Sequence, residues 1–139
     1  DWLVPYAQAL KALGSTRAFI VHGRDGLDEG SISAATQLAV LDAGNVTTGE
    51  ITPEDAGLPR WPLADITGGD AAHNAAAMRQ LFDGKAGAYR DIVRLNAGAA
   101  LMVAGRAKDV KEGAALAAQA LDTGAAGTKL EALIKASQA

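Results

Sequence analysis

Apolar side chains recur at Leu3, Tyr6, Ala7, Leu10 and Leu13, the spacing of one face of a helix. Pro5 fits the first turn of such a helix and Gly14 fits its stop. The run Arg17 to His22 is β-prone and ends at Gly23, which predicts a short buried strand. From Gly23 to Gly30 the chain carries three glycines and no periodicity, so a loop is expected. Thr36 to Leu41 and Val46 to Thr52 are two further β-leaning runs joined by Asp42-Ala43-Gly44-Asn45. That linker predicts a hairpin, with Gly44 and Asn45 supplying the positive φ angles. Thr52-Pro53-Glu54-Asp55 predicts a short helix capped by Thr52 and ended by Gly57. Residues 58–67, with Pro59 and Pro62, read as a crossing loop.

Beyond Gly68 the pattern is helical. Asp70 is a candidate cap for a helix reaching Phe82, ended by Asp83-Gly84. Tyr89 to Gly105 is apolar nearly all round, which predicts a central, buried helix. Asp109 with Glu112 has capping-box spacing for a helix ending at Thr123-Gly124. Thr128 with Glu131 repeats the device for a last helix. The layout predicts a single α/β domain over residues 1–139: a mixed β-sheet with flanking helices and an all-helical C-terminal half. A purely parallel doubly wound sheet is disfavoured, because only the first strand is bracketed by helical segments.

Composition narrows the function classes. At 139 residues the chain is long enough for one core, and 49% of it is hydrophobic, mostly Ala, Leu, Val and Ile. The 13 basic and 16 acidic residues leave a mild negative balance, which argues against a nucleic-acid surface. There is no cysteine, hence no disulfide and no thiolate metal site. No apolar run approaches the roughly 20 residues of a membrane helix, and no signal-peptide pattern opens the chain; a cytoplasmic protein without membrane partners is expected. The chain begins at Asp1 inside a predicted helix, so a segment upstream is expected.

Asp28-Glu29 is the strongest candidate for chemistry. The pair follows the first strand on a glycine-rich loop, at the end of a sheet where ligands gather. Adjacent carboxylates diverge on a regular strand but can converge on a loop. Magnesium is the fitting guest, because it takes oxygen ligands and bridges carboxylates to phosphates. A solvated turn is the competing reading. Glu54-Asp55 is the internal control: the same side chains, explained fully by a helix start. Gly68-Gly69-Asp70 could bind an anion, but Asp70 would occupy that helix end as its cap. His22, closing an apolar strand, reads as a hydrogen-bonded structural residue, and nothing supports a triad around His73. Arg24 has two options, a phosphate or Asp25.

Four ordered segments carry a resemblance: Leu10-Lys11-Ala12-Leu13-Gly14 leading to Ile20-Val21-His22-Gly23-Arg24-Asp25-Gly26-Leu27-Asp28-Glu29, Ile51 to Leu58, Gly68-Gly69-Asp70-Ala71-Ala72-His73-Asn74-Ala75, and Leu95-Asn96-Ala97-Gly98-Ala99-Ala100-Leu101. Together they resemble the C-terminal α/β portion of the anthranilate phosphoribosyltransferases. His73 stands where that family usually has Glu. The resemblance implies the nucleoside phosphorylase/phosphoribosyltransferase type of catalytic domain. It also implies transfer of ribose 5-phosphate from phosphoribosyl pyrophosphate to the amine of anthranilate, a step of tryptophan biosynthesis. It makes Asp28 and Glu29 ligands of Mg2+, and implies a homodimeric whole enzyme. The family's phosphate-binding loop, anthranilate-holding arginine and helical N-terminal subdomain are expected upstream. This chain is therefore expected to hold no complete catalytic set, to be inactive alone, and to leave Trp2 or Leu3 exposed or paired with a partner. A pyrimidine nucleoside phosphorylase, a non-catalytic nucleic-acid-binding relative of the same fold and a plain interaction domain are the alternatives.

Overall fold

A computed structural model describes residues 2–138. Helix α1 (Leu3–Ala12) leads into three strands, β1 (Arg17–Gly23), β2 (Thr36–Asp42) and β3 (Asn45–Ile51). Two 3-10 turns (Glu54–Ala56 and Leu63–Ile66) cross to helices α2 (Ala71–Phe82), α3 (Ala88–Val103), α4 (Val110–Asp122) and α5 (Ala125–Ser137). The α/β class stands.

The strands lie in the order β1-β2-β3 and pair antiparallel throughout, with Ile20 opposite Ala39 and Leu38 opposite Gly49. The expectation of a mixed sheet is thus corrected within the described residues. Both connections between strands return the chain on itself, and neither contains the helix that a parallel crossover needs.

The β2–β3 turn is as short as a hairpin allows, since Asp42 pairs with Asn45 across it. Its positive φ angles fall on Ala43 (47°) and Gly44 (82°), not on Asn45, which already belongs to β3. Two successive left-handed residues match the twist of the flanking strands.

Among the helices, Asp70 caps α2 by accepting from His73 N at 2.8 Å. Asp109 caps α4 by accepting from Glu112 N at 2.8 Å, and the Glu112 carboxylate in turn accepts from Lys108 N. Helix α5 starts three residues before the expected cap. Gly124, left-handed at φ 75°, turns the chain straight from α4 into it. Thr128 therefore sits inside α5 and its hydroxyl donates to Gly124 O at 3.1 Å.

The core joins Ile32, Ala56, Leu58, Ile92, Leu95, Val110 and Ala114. It lies between α3, α4 and the segments that follow β1 and β3. Ile32, wholly buried, belongs to no periodic element, yet it pins the loop after β1 into the core. Helix α3 is central, as expected, but buries a stripe (Ala88, Asp91, Ile92, Leu95, Gly98) rather than its whole circumference. Val93, Ala97 and Leu101 instead line an open groove of ≈ 1000 Å³ toward α2, α4 and α5. Trp2 and Leu13, at either end of the first helix, are 74% and 83% exposed, while Leu3 is half-buried.

Candidate functional site

The loop after β1 is tied down on both sides of the acidic pair. On one side, Gly23 N donates to Leu27 O at 2.8 Å and Gly26 N to Gly23 O at 3.0 Å. The Asp25 carboxylate sits inside the turn, accepting from Ser31 Oγ at 2.6 Å, from Ser33 Oγ and from Leu27 N. Burial alone would push the Asp25 carboxyl up, but these donors and its own amide together hold it below the ordinary value. On the other side, Asn96 of α3 grips Gly30. Asn96 Oδ1 accepts from Gly30 N at 2.8 Å and Asn96 Nδ2 donates to Gly30 O at 2.9 Å. Beyond Gly30, Ser31 N donates to Thr36 Oγ1 at 2.8 Å, and Ser31 is fully buried.

Asp28 and Glu29 hang between these anchors. Neither makes a hydrogen bond or ion pair with any described residue, while every neighbour from Gly23 to Gly30 apart from these two is bonded. Both are exposed. Glu29 borders a cleft of ≈ 290 Å³ whose walls include Leu63, Ile66, Tyr89 and Ile92. That apolar wall raises the Glu29 carboxyl above its ordinary value, and the charge of Asp28 beside it adds to the rise. Two adjacent carboxylates repel each other, and a cation held between them would relieve that repulsion. The residues present therefore fit a hard divalent ion held partly by water and substrate oxygens. No cluster of three or more potential metal ligands exists among the described residues, so the protein alone offers an incomplete shell.

The control pair behaves oppositely. Asp55 Oδ2 accepts from Thr52 N (2.8 Å) and Thr52 Oγ1 (2.9 Å). Glu54 pairs with Arg60 at 2.7 Å, and Arg60 also reaches Ser33 O. Identical side chains are spent on local structure there and left free at Asp28-Glu29.

Other candidates resolve plainly. Arg24 pairs with neither option expected of it but with Glu50 of β3, at 2.6 Å; Asp25 turns inward to the serines instead. His22 is exposed and its ring bonds to no described residue, so the expected structural hydrogen bond is absent. His73 supplies its backbone N–H to the Asp70 cap, and its ring lies over Gly69. Of the glycine pair at 68–69, Gly69 is gripped by Asn74, which accepts from Gly69 N at 2.9 Å and donates to Gly69 O at 3.0 Å.

Two residues escape assignment from sequence. Asn96 enters the sequence pattern only as part of a motif, although a polar amide between Leu95 and Ala97 in an apolar helix demands partners. Asp91, 8% exposed, accepts from Trp61 Nε1 and Arg94 Nη1, both at 2.9 Å. It thereby ties the crossing loop over the cleft beside Glu29 to α3.

An α/β scaffold that presents free carboxylates past its first strand defines the class, and comparison with known proteins gives the family. The model of the glycosyl transferase family, α/β domain, matches residues 1–127, and the chain belongs to that family. The chain is 56% identical over 138 residues to an anthranilate phosphoribosyltransferase of Xanthobacter autotrophicus, covering 99% of this chain and 40% of that protein. It is also 56% identical over 137 residues to the enzyme of that name from Rhodopseudomonas palustris, with 99% and 40% covered. The crystal structure of the Thermus thermophilus anthranilate phosphoribosyltransferase superposes with TM-score 0.86 at 39% identity, over 99% of this chain and 40% of that one. A variant of the Saccharomyces cerevisiae enzyme with Mg bound superposes with TM-score 0.83 at 26% identity, over 92% and 38%. The chain thus spans about 40% of the length of the relatives it matches.

Proposed function

We propose that this chain is the C-terminal α/β part of an enzyme that transfers phosphoribosyl from phosphoribosyl pyrophosphate to anthranilate, and that Asp28 and Glu29 hold its Mg2+. The carrying observation is the unpartnered acidic pair suspended between two anchored residues, with Glu29 raised by burial and by Asp28. The names of relatives at 52–56% identity supply the substrates.

In the reaction, the amine nitrogen bonds to C1 of the ribose as the C1–O bond to the diphosphate breaks. The electron pair of that bond leaves with the diphosphate, and the nitrogen loses a proton. When bound, Mg2+ offsets the negative charge that collects on the leaving group. Asp28 and Glu29 hold the ion by charge, and the loop anchors fix where those charges sit before substrate arrives. Remaining functions, including contacts to the sugar phosphate and to anthranilate, fall to the other part of the enzyme, which also covers the exposed first-helix side chains and forms a homodimer. The setting is tryptophan biosynthesis in the cytoplasm.

The test pairs two samples. The 139-residue chain alone should give no phosphoribosylanthranilate fluorescence. A full-length protein carrying it should do so, and Asp28→Asn with Glu29→Gln should cut its kcat by about 100-fold. Full-strength turnover in that double variant would reject the carboxylate role.

A further inference from the structure

We infer that Asn96 is the positioning residue for the acidic pair, acting through the backbone of Gly30; this rests on the reading of Asp28 and Glu29 as cation ligands. Asn96 belongs to α3, 66 positions away in sequence, and its amide saturates both polar groups of one glycine. It accepts from Gly30 N at 2.8 Å and donates to Gly30 O at 2.9 Å. Its second amide hydrogen goes to Ile92 O at 3.0 Å, one turn back on its own helix. Nδ2 thus bonds both the helix and the loop, and Oδ1 the loop alone.

Gly30 N belongs to the peptide unit that joins Glu29 to Gly30. A bond to that N–H sets the plane of this peptide, and with it the direction in which the Glu29 side chain leaves the backbone. Asp28 and Glu29 have no hydrogen bond of their own to any described residue. The chain path between the Leu27 anchor and the Gly30 anchor is therefore all that aims their carboxylates. Glycine suits the gripped position. A Cβ on Gly30 would come within 2.9 Å of Asn96 Oδ1, so a side chain there would force the amide away. Helix α3 is in turn seated in the core by Ile92 and Leu95, which precede the asparagine on the same helix. The amide therefore links the core to the Gly30 anchor, while Leu27 and Ile32 seat the loop against the same core on either side of it. Outer groups that orient metal ligands commonly cost about 10–100-fold in affinity when removed.

The probe is Mn2+, a paramagnetic stand-in for Mg2+, titrated into 15N-labelled full-length protein carrying this chain, with pyrophosphate present to supply the remaining oxygen ligands. In the parent protein, amide signals around Asp28 and Glu29 should broaden first. Asn96→Leu, close in shape but unable to bond, should weaken that broadening about 10-fold and speed hydrogen exchange at Gly30 N. The rest of the amide spectrum should keep its dispersion. Gly30→Ala opens the same clamp from the loop side and carries the test if Asn96→Leu does not fold. A merely structural Asn96 would lower the unfolding temperature and leave the Mn2+ titration unchanged, and that result overturns the inference alone. Absence of broadening at Asp28 and Glu29 in the parent protein overturns the carboxylate reading and this inference with it.

Discussion

Gly98 of α3 and Gly113 of α4 meet backbone to backbone. A Cβ built on Gly113 would lie 2.5 Å from Gly98 O, and one on Gly98 would lie 2.6 Å from Ala114 N. Each glycine costs its helix about 1 kcal/mol relative to alanine. The close approach offsets this by burying Leu95, Val110 and Ala114 together. Gly113→Ala should therefore destabilise the chain by about 2 kcal/mol although alanine is the better helix former. Urea denaturation checks the sign; a stabilised variant would show that α3 and α4 can part without loss. Gly98 lies two positions beyond Asn96, so a displaced α3 should also slacken the grip on Gly30.

Elements with strong local signals are legible in the sequence. The strands, the Asp70 and Asp109 caps and the Thr52–Asp55 pair are set by neighbours close in the chain. Other features are not. The hairpin fixes β2 and β3 as antiparallel, but the pairing of β1 with β2 depends on which edges meet across the loop between them, and a β-leaning run carries no direction. The start of α5 moves because Gly124 accepts a left-handed turn without a gap, so a cap at Thr128 is not needed. The Asn96–Gly30 clamp spans 66 positions and has no periodicity to betray it. The free state of Asp28 and Glu29 is a property of what fails to contact them, which only a structure displays.

Ala43 has a φ of 47°, the one non-glycine residue with positive φ among those described. Its Cβ crowds the carbonyl in that conformation, at about 1–2 kcal/mol. Ala43→Asn should raise stability by about 1 kcal/mol, because asparagine tolerates the left-handed region and suits this hairpin turn. A thermal melt measures it. An unchanged or lower melting temperature would mean that the turn relaxes without strain in solution.

The Asp25 carboxyl is held below its ordinary value, so its contribution to stability is fully present above the unfolded value of 3.8 and is lost as the pH falls through the lower, folded value. In the parent chain, protonating Asp25 weakens the bonds from Ser31, Ser33 and Leu27 that shape the loop. Asp25→Asn should be less stable than the parent near neutral pH. It should also lose less stability on acidification from about pH 5 to about pH 2. Parallel stability curves for the two proteins over that range would show that the carboxylate charge contributes nothing.

Glu29 has the opposite sign. Its folded value is raised, with burial the larger cause and Asp28 the smaller. The folded state consequently holds the proton more tightly than the unfolded chain does. Stability is greatest below the unfolded value and declines as the pH rises through the folded one, leaving a charged pair with no partner. Two consequences can be separated by one set of melts at neutral pH. Without divalent ions, Glu29→Gln should be slightly more stable than the parent, since it removes the repulsion against Asp28. With Mg2+ added, the parent should gain about 0.4 kcal/mol at half-saturation and the variant markedly less, so the order of stability should narrow or invert. Equal gains in both proteins would place the ion elsewhere and free Glu29 from any role in holding it.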